Sequence, residues 1–176
     1  MIKKILMIIA PVDFRDEEYL IPKKLFLEKG FEIATCSSKL GECTGKLGAR
    51  VASELLLQNA QVADFNGVIF VGGSGSYSYI NNKYALSLAR EAISSGKILG
   101  AICAAPQILA QARVLKNKRA TVWHTKEDMS AVEFIKEKGA IFEDDGVVKD
   151  GKIITADGPE NAERFAQEII NTLNLE

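Results

Sequence analysis

The chain alternates short apolar runs with stretches whose apolar residues recur every three to four positions, the pattern of strands that are each followed by a helix. After Lys4, the run to Ala10 holds no polar residue, so Lys4–Ala10 predicts a strand buried on both faces. Glu17–Lys29 has helical spacing, stops at Gly30 and contains Pro22, which is expected near the first turn, where a missing N–H costs nothing. Phe31–Ser37 is a second strand. Three glycines within Leu40–Ala49 predict a turn or small hairpin leading into Arg50–Leu57. Gly67–Val71 predicts another buried strand, broken by Gly72-Gly73-Ser74-Gly75-Ser76. Asn82–Ser95 reads as a helix stopped by Gly96, Lys97–Ile102 as a strand, and Ala105–Ala112 as a helix that follows almost without a loop. Ala120–Trp123 reads as a strand and Glu127–Lys138 as a helix closed by Gly139. Short strands punctuated by Asp144-Asp145-Gly146 and Asp150-Gly151 end with Ile153–Ala156, and Glu160–Leu173 is the closing helix. This alternation specifies an α/β protein with a mainly parallel sheet covered by helices on both faces. No repeat, low-complexity tract or linker interrupts it, so a single domain over residues 1–176 is expected.

Charge and cysteine content narrow the function. A formal net charge of −1 gives no electrostatic reason to expect nucleic acid or an anionic membrane as partner. No apolar run approaches the roughly 18 residues that span a bilayer. The first ten residues faintly resemble a signal peptide, but the apolar stretch is short and runs into Pro11-Val12-Asp13 without a cleavage pattern, so a cytoplasmic location is expected. The three cysteines, Cys36, Cys43 and Cys103, are an odd count without C-x-x-C spacing, which argues against a disulfide framework and a zinc site. With one histidine, His124, no histidine-rich metal site is expected either. Cys36 falls in an apolar strand and is read as core; Cys43, in a glycine-rich turn, is expected to be exposed and oxidisable.

Cys103 stands apart. Gly100-Ala101-Ile102-Cys103-Ala104-Ala105-Pro106 joins a buried strand to a helix with almost no connecting residues. A nucleophile on such an elbow needs small residues two positions either side, here Ala101 and Ala105. The helix N-terminus favours thiolate over thiol, and the Ala104 N–H lies where an oxyanion would form on an attacked carbonyl. The competing reading makes Cys103 a small buried apolar residue.

With this elbow, the sequence resembles the DJ-1/PfpI family. Ordered matches carry the resemblance: Asp16-Glu17-Glu18-Tyr19-Leu20-Ile21-Pro22, Thr44-Gly45-Lys46, Val71-Gly72-Gly73, Ala101-Ile102-Cys103-Ala104-Ala105-Pro106 and Gly158-Pro159. The resemblance implies a flavodoxin-like three-layer α/β/α sandwich. It implies that Glu18, largely protonated, donates a hydrogen bond to the Cys103 sulfur, against the alternative of a solvated first-turn glutamate. It also implies that Gly73 supplies the second oxyanion N–H beside Ala104. Read as a bare motif, Gly72–Ser76 could instead be a phosphate loop, but it lacks the G-K-[ST] ending and the third glycine of a dinucleotide fingerprint. His124 resembles a histidine that some members place beside the cysteine as base or proton shuttle; the alternative is a strand-end histidine satisfied by backbone.

Some positions depart from the family's pattern. Ala104 stands where many PfpI-type members have histidine, so the adjacent Cys–His pair of a peptidase is absent. The later H-x-E motif of the glutamine amidotransferases is missing, and Asp157 stands where the family often has arginine. The chain also stops after one C-terminal helix, so dimer geometry does not carry over. The resulting expectation is a cysteine-dependent enzyme acting on a small reactive carbonyl, of glyoxalase or deglycase type. Its named residues are Cys103, Glu18 and His124 with an oxyanion hole of Gly73 and Ala104. No metal or organic cofactor is required, and a homodimer or larger homo-oligomer is expected. The alternatives are a PfpI-type intracellular peptidase and a redox sensor or chaperone whose Cys103 oxidises to a sulfinate.

Overall fold

The computed structural model describes residues 1–175 and is built on a seven-stranded sheet. From edge to edge its strands are Val147–Asp150, Ile153–Ala156, Ile98–Ile102, Gly67–Phe70, Lys4–Ile8, Glu32–Ser37 and Leu55–Leu56. Neighbours are parallel except for the edge pair Val147–Asp150 and Ile153–Ala156. Side-chain alternation splits each buried strand between two apolar layers. Ile5 and Met7 pack with Phe26 of α1 (Asp16–Glu28) and with Phe165 and Ile169 of α5 (Ala162–Asn174). Leu6 and Ile8 face the other way, into a layer that contains Leu88 of α2 (Lys83–Ser94), Ile108 of α3 (Pro106–Gln111) and Ile135 of α4 (Ser130–Glu137). This is the flavodoxin-like three-layer sandwich that the sequence led us to expect. Gly100 lets α5 close on the sheet, since a Cβ there would lie 2.8 Å from Ile69 Cδ1 and 3.0 Å from Phe165 Cζ.

Some elements differ from the sequence reading. Pro22 lies in the middle of α1 and removes the N–H that would bond the Glu18 carbonyl. The strand expected over residues 120–123 shrinks to Arg119–Ala120, paired with Ile141–Phe142. Beyond it, the Thr121 N–H donates to Thr155 Oγ1 at 2.9 Å and the Trp123 N–H to the Cys103 carbonyl at 2.8 Å, so these groups leave the ladder. The glycine-rich stretch is a hairpin of Gly41–Gly45 and Arg50–Ser53, extended by Val12–Phe14 into a small three-stranded sheet. Cys43 is therefore buried rather than exposed: alternation turns Glu42 and Thr44 to solvent and Cys43 into the layer under Phe14 and Tyr19. Cys36 is core, as expected. Among the described residues no helix is long and apolar enough to cross a membrane, and no cluster of three potential metal ligands occurs.

Chain order reverses beside the first strand: Glu32–Ser37 lies on one side of Lys4–Ile8 and Gly67–Phe70 on the other. Open α/β sheets bind ligands at the C-terminal ends of strands near such a reversal.

Candidate active site

Cys103 follows the C-terminal end of Ile98–Ile102 and takes a left-handed conformation, φ +63°, costing about 1 kcal/mol for a residue with a side chain. Two hydrogen bonds clamp it there: its N–H donates to the Ala156 carbonyl at 2.8 Å, and its carbonyl accepts the Trp123 N–H at 2.8 Å. Ala101 and Ala105, fully buried, leave no space for larger neighbours. Pro106 opens α3, as the sequence indicates.

The next turn of the sheet meets this elbow. Gly73 has φ +96° and ψ 165°, a region open essentially to glycine alone. The Gly72 carbonyl accepts the Arg15 N–H at 3.0 Å. Because C=O and N–H point oppositely across a trans peptide, the Gly73 N–H turns towards the cysteine. Gly72 lies where the elbow and α1 converge: a Cβ on it would strike the Ile102 carbonyl and lie 2.5 Å from Glu18 Oε2 and 2.7 Å from Cys103 Cβ. Glu18 is wholly buried, not the solvated first-turn glutamate of the alternative reading. Neither of its carboxyl oxygens completes a hydrogen bond of regular geometry among the described residues, but the Cys103 thiol and the Gly72 N–H both act on it.

Burial pushes Glu18 up from an ordinary 4.5 to about 8, favouring a neutral carboxyl. Burial, then the charge of an ionised Glu18, also push the Cys103 thiol up, while the N–H groups of Gly73 and Ala104 oppose the rise. The sequence argument for an acidified thiol is thus outweighed. Helix α3 spans six residues, too short for its dipole to offset the loss of water around the sulfur. A neutral Glu18 removes the like charge, leaving burial and the two N–H groups to set the balance.

Cys103, Glu18, Gly73 and Ala104 line one cavity of about 400 Å³. Arg15, Lys46, Ser74, Tyr77, Trp123, Pro159 and Glu160 complete it. The sequence did not single out these residues as site components. Lys46 and Pro159 belong to the matches Thr44-Gly45-Lys46 and Gly158-Pro159, and Trp123 is the immediate neighbour of His124. His124 is not among the lining residues. Its Nδ1 lies 2.8 Å from the Val122 carbonyl and its Nε2 3.2 Å from Asp144 Oδ1, and its ring packs edge-on to Phe142. The structure thus brings Cys103, Glu18, Gly73 and Ala104 together, and engages His124 elsewhere.

The family model described as DJ-1/PfpI matches residues 3–172. The chain belongs to the DJ-1/PfpI family. Deglycase PH1704 of Pyrococcus horikoshii is 30% identical over 92% of this chain and 94% of its own length. The glutathione-independent glyoxalase DJR-1.2 of Caenorhabditis elegans is 28% identical over 97% of this chain and 89% of its own. Among solved structures, a ThiJ/PfpI domain protein of Brachyspira murdochii is 28% identical and superposes with a TM-score of 0.93 over 99% of this chain and 98% of its own. The first two of these relatives are named as a deglycase and a glyoxalase.

Proposed function

We infer that this chain is a cysteine-dependent enzyme acting on small reactive carbonyls, of glyoxalase or deglycase type. The observation that carries this reading is the meeting, in one cavity, of the Cys103 sulfur, the buried Glu18 carboxyl and the N–H groups of Gly73 and Ala104. As the Cys103 sulfur adds to the aldehyde carbon its proton leaves to solvent, a C–S bond forms and the C=O electron pair moves onto oxygen. Gly73 and Ala104 N–H groups hold that oxygen, and the Glu18 proton neutralises it to give a hemithioacetal. Glu18, now a carboxylate, takes the C1 proton of a 2-oxoaldehyde adduct and returns it at C2 while the hydroxyl proton on the C1 oxygen passes to the C2 oxygen, which leaves a 2-hydroxy thioester; Glu18 then regains its own proton from solvent. Water cleaves the thioester to a 2-hydroxy acid and restores the thiol. Every step is a proton transfer, addition or hydrolysis, so the chemistry needs no external oxidant or reductant.

The peptidase reading has less support. Ala104 replaces the adjacent histidine, His124 is engaged away from the cavity, and an amine leaving group needs a proton donor. The family and relatives are compatible with a homodimer or larger assembly of this chain. Leu20 and Leu27 on α1 and Leu47 on the hairpin are exposed, and we propose that they are covered by a second copy.

The test is methylglyoxal consumption with lactate formation by purified protein beside Cys103→Ser. Consumption should be lost at least about a hundredfold in the variant. A wild-type protein that alkylates normally at Cys103 but leaves methylglyoxal untouched overturns the reading, and Cys103-dependent cleavage of casein favours the peptidase.

A further inference from the structure

The charges around the Cys103 cavity are of unequal availability. Arg15 is answered within its own segment, where Nε and Nη2 donate to Glu17 at 2.8 and 3.1 Å. Lys46 lines the same cavity, and no ion pair to its ammonium occurs among the described residues. The loop carrying it is unusually well tied. Asp16, buried in the first turn of α1, accepts the Leu47 N–H at 2.8 Å and the Ala49 N–H at 2.7 Å. The Lys46 N–H donates to the Phe14 carbonyl at 2.9 Å, and the Gly45 N–H to the Ala49 carbonyl at 2.7 Å. Gly45 itself must be glycine, because a Cβ there would lie 2.6 Å from Asp16 Cγ. A hairpin tip is ordinarily among the more mobile parts of a fold. Here the buried Asp16 side chain, costly to place, fixes the tip that carries Lys46 into the lining of the cavity.

We propose that Lys46 is the substrate-anion contact of this cavity, so that the reactive carbonyls taken by the site carry a carboxylate near the reacting carbon, with Asp16 as the positioning residue. The substrate class rests on the carbonyl reading above; the anion contact does not. A carboxylate is favoured over a phosphate because the cavity offers one unpaired ammonium rather than an arginine fork or several convergent cations. Glu160 also lines the cavity and opposes the lysine's field, so the selectivity is moderate and adjustable in both directions.

Competitive alkylation of the full chain at pH 7 tests the contact without any assumption about turnover. Iodoacetate and iodoacetamide form the same S–C bond with loss of iodide, and differ by one negative charge. The ratio of their rates at Cys103, read by mass spectrometry, should fall about three- to tenfold in Lys46→Gln, stay near wild type in Lys46→Arg, and rise in Glu160→Gln. Asp16→Asn should lower it with Lys46 intact, which a purely structural carboxylate would not do. A ratio indifferent to Lys46 overturns the contact, even if methylglyoxal is consumed. Glyoxylate adds to Cys103 as a hemithioacetal but has no ketone at C2 to take the C1 proton, so it competes reversibly with methylglyoxal; its inhibition constant should rise about tenfold in Lys46→Gln, and a constant indifferent to Lys46 overturns the selectivity. A wild-type protein that leaves methylglyoxal untouched, yet shows the lysine-dependent alkylation ratio, keeps the anion contact and removes the carbonyl reading.

Discussion

Glu18 concentrates the physical tension of the site. Its folded-state value of about 8 lies above its ordinary 4.5, so between those pH values the folded chain holds a proton that the unfolded chain has released. Stability from this group is therefore fully present below pH 4.5, declines as pH rises, and levels off above about 8. The slope is about 1.4 kcal/mol per pH unit at most. Urea titrations of wild type and Glu18→Gln from pH 5 to 9 should show the variant becoming relatively more stable up to pH 8, by roughly 2 kcal/mol at pH 7, and constant beyond. A difference independent of pH would mean that Glu18 is ionised in the native state. At this scale the sequence exposed the residues singled out by local chain shape: Cys103 on its elbow and Ala104 after it. Glu18 and Gly73 came by resemblance rather than from local shape. The choice between Trp123 and His124 was not legible, because the two are adjacent and only tertiary hydrogen bonds decide which one faces the cavity.

Three connecting elements build the cavity, and each is set by a small residue at a crowded point. The turn after Gly67–Phe70 is the most demanding, since a Cβ on Gly72 would collide with both the Ile102 carbonyl and the Glu18 carboxyl. Gly72→Ala should destabilise the fold by about 1–3 kcal/mol and slow Cys103 alkylation in the surviving native fraction, measured by thermal melting and by native-state labelling. An unchanged melting temperature would mean that α1 moves away freely. Strand and helix cores were readable from apolar spacing: α2 runs from Lys83 to Ser94 and has its cap at Asn82, whose side chain accepts the Tyr84 and Ala85 N–H groups at 3.0 and 3.1 Å. The elements that misled are those settled by partners far along the chain. The hairpin's inward face depends on α1, and residues 121–123 bond to Thr155 and Cys103 rather than to a ladder.

At the scale of the molecule, sheet order gathers residues 15, 18, 46, 73, 103, 123 and 160 at one end. Alternating strands and helices made the layered architecture legible, but the order of strands, which depends on pairings far apart in the chain, is given by the structure alone. The exposed leucines give a prediction at this level. Leu20→Lys combined with Leu27→Lys should convert the assembly to monomers in multi-angle light scattering without lowering the melting temperature by more than about 2 °C, because both side chains are largely solvent-facing in one chain. Monomeric wild type at micromolar concentration would refute the assembly. The clamp on Cys103 has a further consequence for synthesis. One of its two jaws is the Ala156 carbonyl, which is made 53 residues after the cysteine (156 minus 103). Until the strand Ile153–Ala156 has been made and docked, the Cys103 N–H lacks its acceptor and the clamp has only the Trp123 jaw. The elbow thus reaches its fully clamped form only after that distant strand has joined the sheet.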